Sequence, residues 1–223
     1  YVTEKDLSYD DLSRVFHKTR TECNLKRNRS GKRLPRLLTE AQLQAFFSTC
    51  RETEDPKWEV FFRLLLSTAL RIAEITAVMI RDGDLPKNRI FIEYGKGDRD
   101  RYVPFPKDLV LPLRQLMRHN KLYLFESPRG GAYAPRSINK KMAKIATAAG
   151  IIDEEGKTWV SPHLFRHQTI TFLLDSGMDP MQVKKISGHE SITSLEVYEH
   201  LALDIPHKIY QEIMAGTPQL AGG

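Results

Sequence analysis

Apolar positions recur at helical spacing through most of the chain and give way to strand-like alternation over one short stretch. Residues 6–20 read as a first helix, ahead of a segment with no apolar period. Thr39 followed by Gln42 is a capping-box pattern, in which each side chain satisfies the other's end-of-helix N–H. It opens a helix predicted to run to about Thr53. Asp55-Pro56 supplies an N-cap and a first-turn proline for a second helix carrying Trp58, Phe61, Phe62, Leu65 and Leu66. A third amphipathic stretch starts at Arg71, with Ile72, Ile75 and Met79 at helical spacing.

The period then changes. Residues 89–94 and 101–105 read as two strands joined by Gly95-Lys96-Gly97-Asp98, a hairpin signal. Beyond them Pro106 opens a helical segment. Residues 136–149 place Ile138, Met142, Ile145 and Ala149 on one helix face, with Gly150 as the stop. Ser161-Pro162 begins a helix that Gly177 ends, and Asp179-Pro180 begins a short one stopped by Gly188. After Pro206, the stripe Ile205, Ile209 and Ile213 is too short to stand as a helix unburied. The predicted fold class is α+β: a mainly α-helical domain with a small antiparallel β-sheet.

Composition narrows the class further. At 223 residues and 41% hydrophobic, the chain suits one large domain with an appendage and excludes intrinsic disorder. No uninterrupted apolar run nears the roughly 20 residues of a membrane-spanning helix. Cys23 and Cys50 alone make no disulfide scaffold and no four-cysteine metal site. They fit a reducing compartment, and with no apolar signal-peptide core a cytoplasmic protein is expected. A chain opening at Tyr1 rather than Met reads as a portion of a longer one.

Charge is the first sign of a partner. Lys plus Arg number 34 against 28 for Asp plus Glu, a net +6. Six of the cations, Lys26, Arg27, Arg29, Lys32, Arg33 and Arg36, fall in one run with no acidic residue. Such a run either contacts phosphates, releasing counterions, or is a solvated linker.

Candidate chemistry gathers in the second half. A Ser-Pro helix start puts His163, Arg166 and His167 in the first turns, where unpaired N–H groups and the dipole already favour an anion. His163 and His167 have the i, i+4 spacing of a zinc helix, but the glutamate of that motif is missing. Histidines that merely pack are the bland alternative. Tyr198 lies nine residues beyond His189. A tyrosine hydroxyl, with a pKa of about 10, attacks poorly unless cations or a base assist it. Arg71, Lys96, His163, Arg166 and His189 could each assist.

Taken together and in order, these segments carry more than any one of them. Thr68-Ala69-Leu70-Arg71-Ile72-Ala73-Glu74, Gly95-Lys96-Gly97, His163-Leu164-Phe165-Arg166-His167, Gly188-His189 and Tyr198-Glu199-His200 closely resemble the boxes of the tyrosine recombinase (phage integrase) family. The resemblance runs from about Pro35 to Leu203. Ala69 stands where that family usually has Gly, and Phe165 where it usually has Leu.

The resemblance implies a site-specific DNA recombinase acting in integration or excision of mobile DNA through a 3′-phosphotyrosyl intermediate. Tyr198 is then the nucleophile and Arg71, Arg166 and His189 hold the phosphate. Lys96 is the general acid and His163 accepts the tyrosine proton. No cofactor and no metal are implied, because the arginines supply the charge that a metal supplies elsewhere. The partner is a double-stranded DNA recombination site, bound by a homo-tetramer on synapsed DNA, with a monomer or dimer when free. Residues 1–36 are expected to be a linker and remnant of a preceding DNA-binding domain. Residues 37–205 are expected to be the catalytic domain, and 206–223 a tail exchanged between protomers or packed on its own domain. A type IB topoisomerase-like relaxase and a non-catalytic DNA-binding module are the alternatives. Glu74, at i+3 from Arg71, either orients that arginine or forms an ordinary helix pair.

Overall fold

A computed structural model describes residues 36–93 and 100–188, together with positions 11, 14, 15, 18, 19 and 22. The chain divides into two compact units, residues 1–33 and 34–223. In the first, all six described positions have helical backbone, in line with the helix predicted there, and Lys18 pairs with Glu22 at 3.9 Å. Everything below concerns the second.

Its described part is mostly helical with a small three-stranded antiparallel sheet, the fold class that the period changes predict. Helix α1 (Glu40–Thr53) opens on the expected capping box: Gln42 N donates to Thr39 Oγ1 at 3.2 Å, and Thr39 N donates to Gln42 Oε1 at 3.0 Å. Helix α2 (Pro56–Thr68) starts at the Asp55 cap and ends at Ala69. Helix α3 (Ile72–Ala77) is shorter than its apolar period suggests. The period continues to Met79, but Met79 leaves the helix to bridge Tyr123 in an extended geometry.

The sheet follows, as β1 (Gly83–Asp84), β2 (Arg89–Ile92) and β3 (Arg101–Pro104) in that order. A two-residue strand carries no period, so β1 is invisible to pattern. Ile90 faces Val103 across the β2–β3 pair, and Ile92 faces Arg101. Directly opposed residues share a face, so Ile90, Ile92, Val103 and Arg101 all point inward, while Phe91 and Tyr102 pair on the outer side with ring centroids 5.3 Å apart. Then come α4 (Val110–His119), α5 (Pro135–Ala148), α6 (Pro162–Asp175) and α7 (Pro180–Ser187).

The main core is aromatic. Phe46, Phe61, Phe62 and Phe165 are fully buried, and Phe46 meets both Phe62 and Phe165 edge-to-face, at 5.4 and 5.3 Å between centroids. Edge-to-face contacts add about 0.5–1.5 kcal/mol per pair beyond area burial. A second, smaller cluster of Ala69, Ile170, Leu174 and Val183 joins the end of α2 to α6 and α7. These two clusters fix where α6 and α7 can lie, and with them the site.

Candidate active site

Three of the six candidate side chains lie within the described residues: Arg71, His163 and Arg166. Lys96, His189 and Tyr198 lie outside them, as do Lys26, Arg27, Arg29, Lys32, Arg33 and the tail beyond Pro206.

Arg71 is set by a break between helices. Ala69 ends α2 in the left-handed region, φ 53°, and Leu70 is buried, so the chain reverses and Arg71 becomes the N-cap of α3. Glu74 then accepts twice from Arg71: its Oε2 from the backbone N–H at 2.8 Å and its Oε1 from Nη1 at 3.0 Å. The i+3 glutamate therefore orients the arginine, one of the two readings its spacing allowed. The other arm, Nη2, donates to the carbonyl of Gly188 at 2.9 Å.

Arg166 comes from the opposite direction. Ser161 caps α6 by accepting from Leu164 N at 3.2 Å, Pro162 starts its first turn, and Arg166 follows one turn in. The neighbouring Phe165 is anchored in the aromatic core, so a ring, rather than the smaller Leu, fixes the rotation of the helix. Arg166 is 3% exposed, and its Nη1 donates to the carbonyls of Ala69 at 2.5 Å and Ser187 at 2.7 Å.

Two arginines 95 positions apart in the sequence thus grip the consecutive carbonyls Ser187 and Gly188. Those carbonyls close α7, where the helix dipole is negative and the last C=O groups lack intrahelical partners. His189 is the next residue.

A third arginine, which the motifs did not single out, completes the cluster. Arg101 opens β3 on its inward face. It donates to Glu74 Oε2 at 2.9 Å and Oε1 at 3.3 Å, and to the carbonyls of Ile186 at 2.9 Å and Ser187 at 3.4 Å. Its register was the available signal: an arginine at an inward position of an alternating strand must find a buried counter-charge.

His163 is exposed at the start of α6, yet the protein packed around its ring and then the Arg166 charge hold its pKa below the ordinary histidine value. The ring of His167 stands edge-on to it at 4.1 Å. Burial first, then His163 and Arg166, push His167 down to about 4. Both imidazoles are therefore neutral near pH 7. A neutral imidazole beside the permanent charge of Arg166 can accept a proton while the guanidinium holds an anion.

The remaining candidate, Arg36, stacks its guanidinium 3.7 Å from the ring centroid of Trp159. Two residues on, the buried Leu38 donates its N–H to Gln168 on α6 at 2.9 Å. A groove of about 1280 Å³ between α1, α2 and α6 is lined by Leu43, Phe47, Leu66, Phe172 and Leu173, and of the described candidates neither Arg71, His163 nor Arg166 lines it. Among the described residues no group of three or more His, Cys, Asp or Glu is placed to hold a metal. No helix among them is long and apolar enough to cross a membrane.

The chain matches known proteins along most of its length. A model of the phage integrase family matches residues 36–204. Tyrosine recombinase XerC of Corynebacterium efficiens is 32% identical over 178 residues, 76% of this chain and 55% of that protein. Tyrosine recombinase XerA of Saccharolobus solfataricus is 29% identical over 182 residues, 81% of this chain and 57% of the relative. The chain thus spans little more than half the length of these curated relatives. Among solved structures, the crystal structure of XerA recombinase superposes with a TM-score of 0.69 at 22% identity, covering 95% of this chain and 86% of that one. The Tn1549 transposon integrase in complex with circular intermediate DNA gives 0.67 at 21% identity, covering 95% and 82%. At such identities the likeness is one of fold.

Proposed function

The chain belongs to the phage integrase family, and from that premise we propose that it is the catalytic part of a site-specific recombinase that breaks and rejoins DNA through a covalent tyrosine link. The observation that carries this reading is the convergence of Arg71 and Arg166 on the carbonyls of Gly188 and Ser187, immediately before His189.

In this reading Tyr198 attacks the scissile phosphorus. A 3′-phosphotyrosyl bond forms, the bond to the 5′-oxygen breaks, and Lys96 gives that oxygen its proton. His163 takes the tyrosine proton, which its depressed pKa supports, since a charged imidazole has no lone pair to offer. Arg71 and Arg166 hold the non-bridging oxygens and His189 adds a further donor. Planar guanidiniums suit the equatorial oxygens of the transition state, and no step calls for a metal. The covalent link keeps the energy of the broken bond, so a 5′-hydroxyl from another strand reverses the step and joins new ends.

Double-stranded DNA is the proposed partner. Helix α5 supports it with Arg136, Lys140 and Lys144, three exposed cations at four-residue spacing along one face. Such a stripe contacts phosphates and positions a duplex. Integration or excision of mobile DNA is the proposed outcome, in keeping with the family's name. A tetramer on synapsed DNA is the proposed assembly, with residues 206–223 docking between protomers. Residues 1–36 serve as linker and preceding segment, and 37–205 as the catalytic domain.

The test is a library of nicked suicide duplexes incubated with the protein in excess EDTA and resolved on denaturing gels. A covalent protein–DNA adduct is expected, and Tyr198→Phe should abolish it while DNA affinity stays within a few-fold. An adduct at parental yield with the Phe variant, or one dependent on added magnesium, would overturn the assignment. Deleting residues 206–223 should reduce four-protomer synapses more than binding to a single site. Normal synapsis without them would remove the docking role.

A further inference from the structure

The cluster around Glu74 contains one arginine that no motif assigns. Arg101 lies on the core-facing side of β3, opposite Ile92, where the same face of the sheet otherwise carries Ile90 and Val103. Its side chain is 10% exposed, and so is that of its partner Glu74. A cation so placed forfeits most of its hydration and persists only when charge and hydrogen bonds replace it. Here they do: both Glu74 oxygens and the carbonyls of Ile186 and Ser187 accept from it.

Each acceptor belongs to the proposed chemistry. Glu74 is the carboxylate that holds the backbone and guanidinium of Arg71. Ser187 O also receives Arg166. The Ile186–Ser187 carbonyls end the helix that leads into His189. Arg101 itself begins the strand that follows Gly95-Lys96-Gly97 in the sequence. One planar fork therefore spans the arginine clamp, the helix before His189 and the start of the strand that follows Lys96 in the chain.

We infer that Arg101 is a positioning residue of the strand-cleavage reaction. It acts through Glu74 and the end of α7, holding Arg71 in register with Arg166 and touching no DNA itself. The inference rests on the recombinase reading above. Its physical basis is geometric: the four acceptors are met through all three nitrogens of one planar guanidinium, two of them as a bidentate pair on Glu74, and an ammonium at the end of a flexible stem offers no matching fork. With lysine at this position Glu74 keeps a charge partner but loses its fixed orientation, and Arg71 moves with it. A shift on the order of 1 Å in a catalytic group slows a reaction by about 10²-fold.

The experiment compares the parent chain with Arg101→Lys, Arg101→Ala, Glu74→Gln and the Arg101→Lys/Glu74→Gln double variant. Melting temperature, DNA affinity, single-turnover adduct formation on the nicked suicide duplex and the side-chain N–H resonance of Arg71 are read for each. Arg101→Lys is expected to stay folded, to bind DNA within about two-fold of the parent and to form adduct at least ~10-fold more slowly, with a displaced Arg71 resonance. The double variant should be little slower than the slower single one, since both losses run through the same carboxylate. A folded Arg101→Lys protein that forms adduct within two-fold of the parent overturns the inference, as does a double variant whose losses multiply. If the parent forms no adduct with any duplex of the library, the recombinase reading fails on its own. The Arg71 resonance then decides the structural half of the claim, and an unmoved signal in Arg101→Lys rejects it.

Discussion

Arg166 donates to the carbonyl of Ala69, a residue held at φ 53° with its methyl group fully buried. The left-handed turn aims that carbonyl at the guanidinium and starts α3 at Arg71, so one strained residue serves both arginines. Ala pays roughly 1–2 kcal/mol for this conformation, where Gly would not. The methyl recovers about 0.8 kcal/mol by packing in the cluster with Ile170, Leu174 and Val183. Ala69→Gly is therefore expected to melt within about 3 °C of the parent, because glycine also loosens the unfolded chain. Ala69→Val adds β-branching where φ is positive and should cost more than ~2 kcal/mol. Denaturant unfolding of the two variants checks the pair.

Removing either arginine tests the clamp. Arg71→Ala or Arg166→Ala should slow adduct formation by at least ~10²-fold, the scale of losing one transition-state donor. Lysine should restore little at either position, because a point charge cannot reproduce a fork that also serves Gly188 or Ser187. Stopped single-turnover cleavage within a few-fold of the parent would take that arginine out of the clamp.

The six-cation run divides at its last member. Arg36 stacks on Trp159, so Arg36→Ala is expected to lower stability by up to about 1 kcal/mol through the lost cation–π contact. Neutralising Lys26, Arg27, Arg29, Lys32 and Arg33 should instead flatten the dependence of DNA affinity on salt, leaving the melting temperature in place. Fluorescence anisotropy across a salt series reads the difference. An unchanged slope would make the run a linker.

His167 gives the fold a pH dependence. The unfolded chain takes up a proton near pH 6.5, whereas the folded one, with this pKa depressed to about 4, does not. The unfolded state therefore binds more protons between these values, and stability falls as pH drops through that window. The loss approaches about 2 kcal/mol by pH 5 at 1.4 kcal/mol per unit, with His163 adding in the same direction. Urea midpoints at pH 7 and pH 5 should differ by less in His167→Gln. An equal difference would place the titration elsewhere.

Much of this was legible along the chain because it depends on local chemistry. The Thr39–Gln42 box, the Asp55-Pro56 start, the Ser161-Pro162 start and the Gly188 stop each act within a turn, and each lies where its signal falls. What escaped depends on distant partners. Met79 leaves its helical period because Tyr123 offers it a bridge, and β1 pairs over only two residues. Arg101 stands out only once β3 is in register with β2, when it faces inward onto Glu74. Arg71, His163 and Arg166 stood out by type and spacing, yet nothing in their motifs says that two of them meet on the carbonyls of one helix end.

Helix α7 has only eight residues; its buried Val183 packs in the small cluster with Ala69, Ile170 and Leu174, and toward the large aromatic core it offers only the partly buried Ile186. A short helix pinned by three guanidiniums and a few side chains can open while the rest of the domain stays closed, since such segments lie at the low end of the range of local opening energies. Heating should therefore switch the protein off before it melts. Adduct formation is expected to fade several degrees below the midpoint of global unfolding and to return on cooling. Amides of residues 183–188 should exchange with solvent faster than those of α2 over the same interval. Loss of activity only at the global midpoint would mean that α7 is as firmly held as the core.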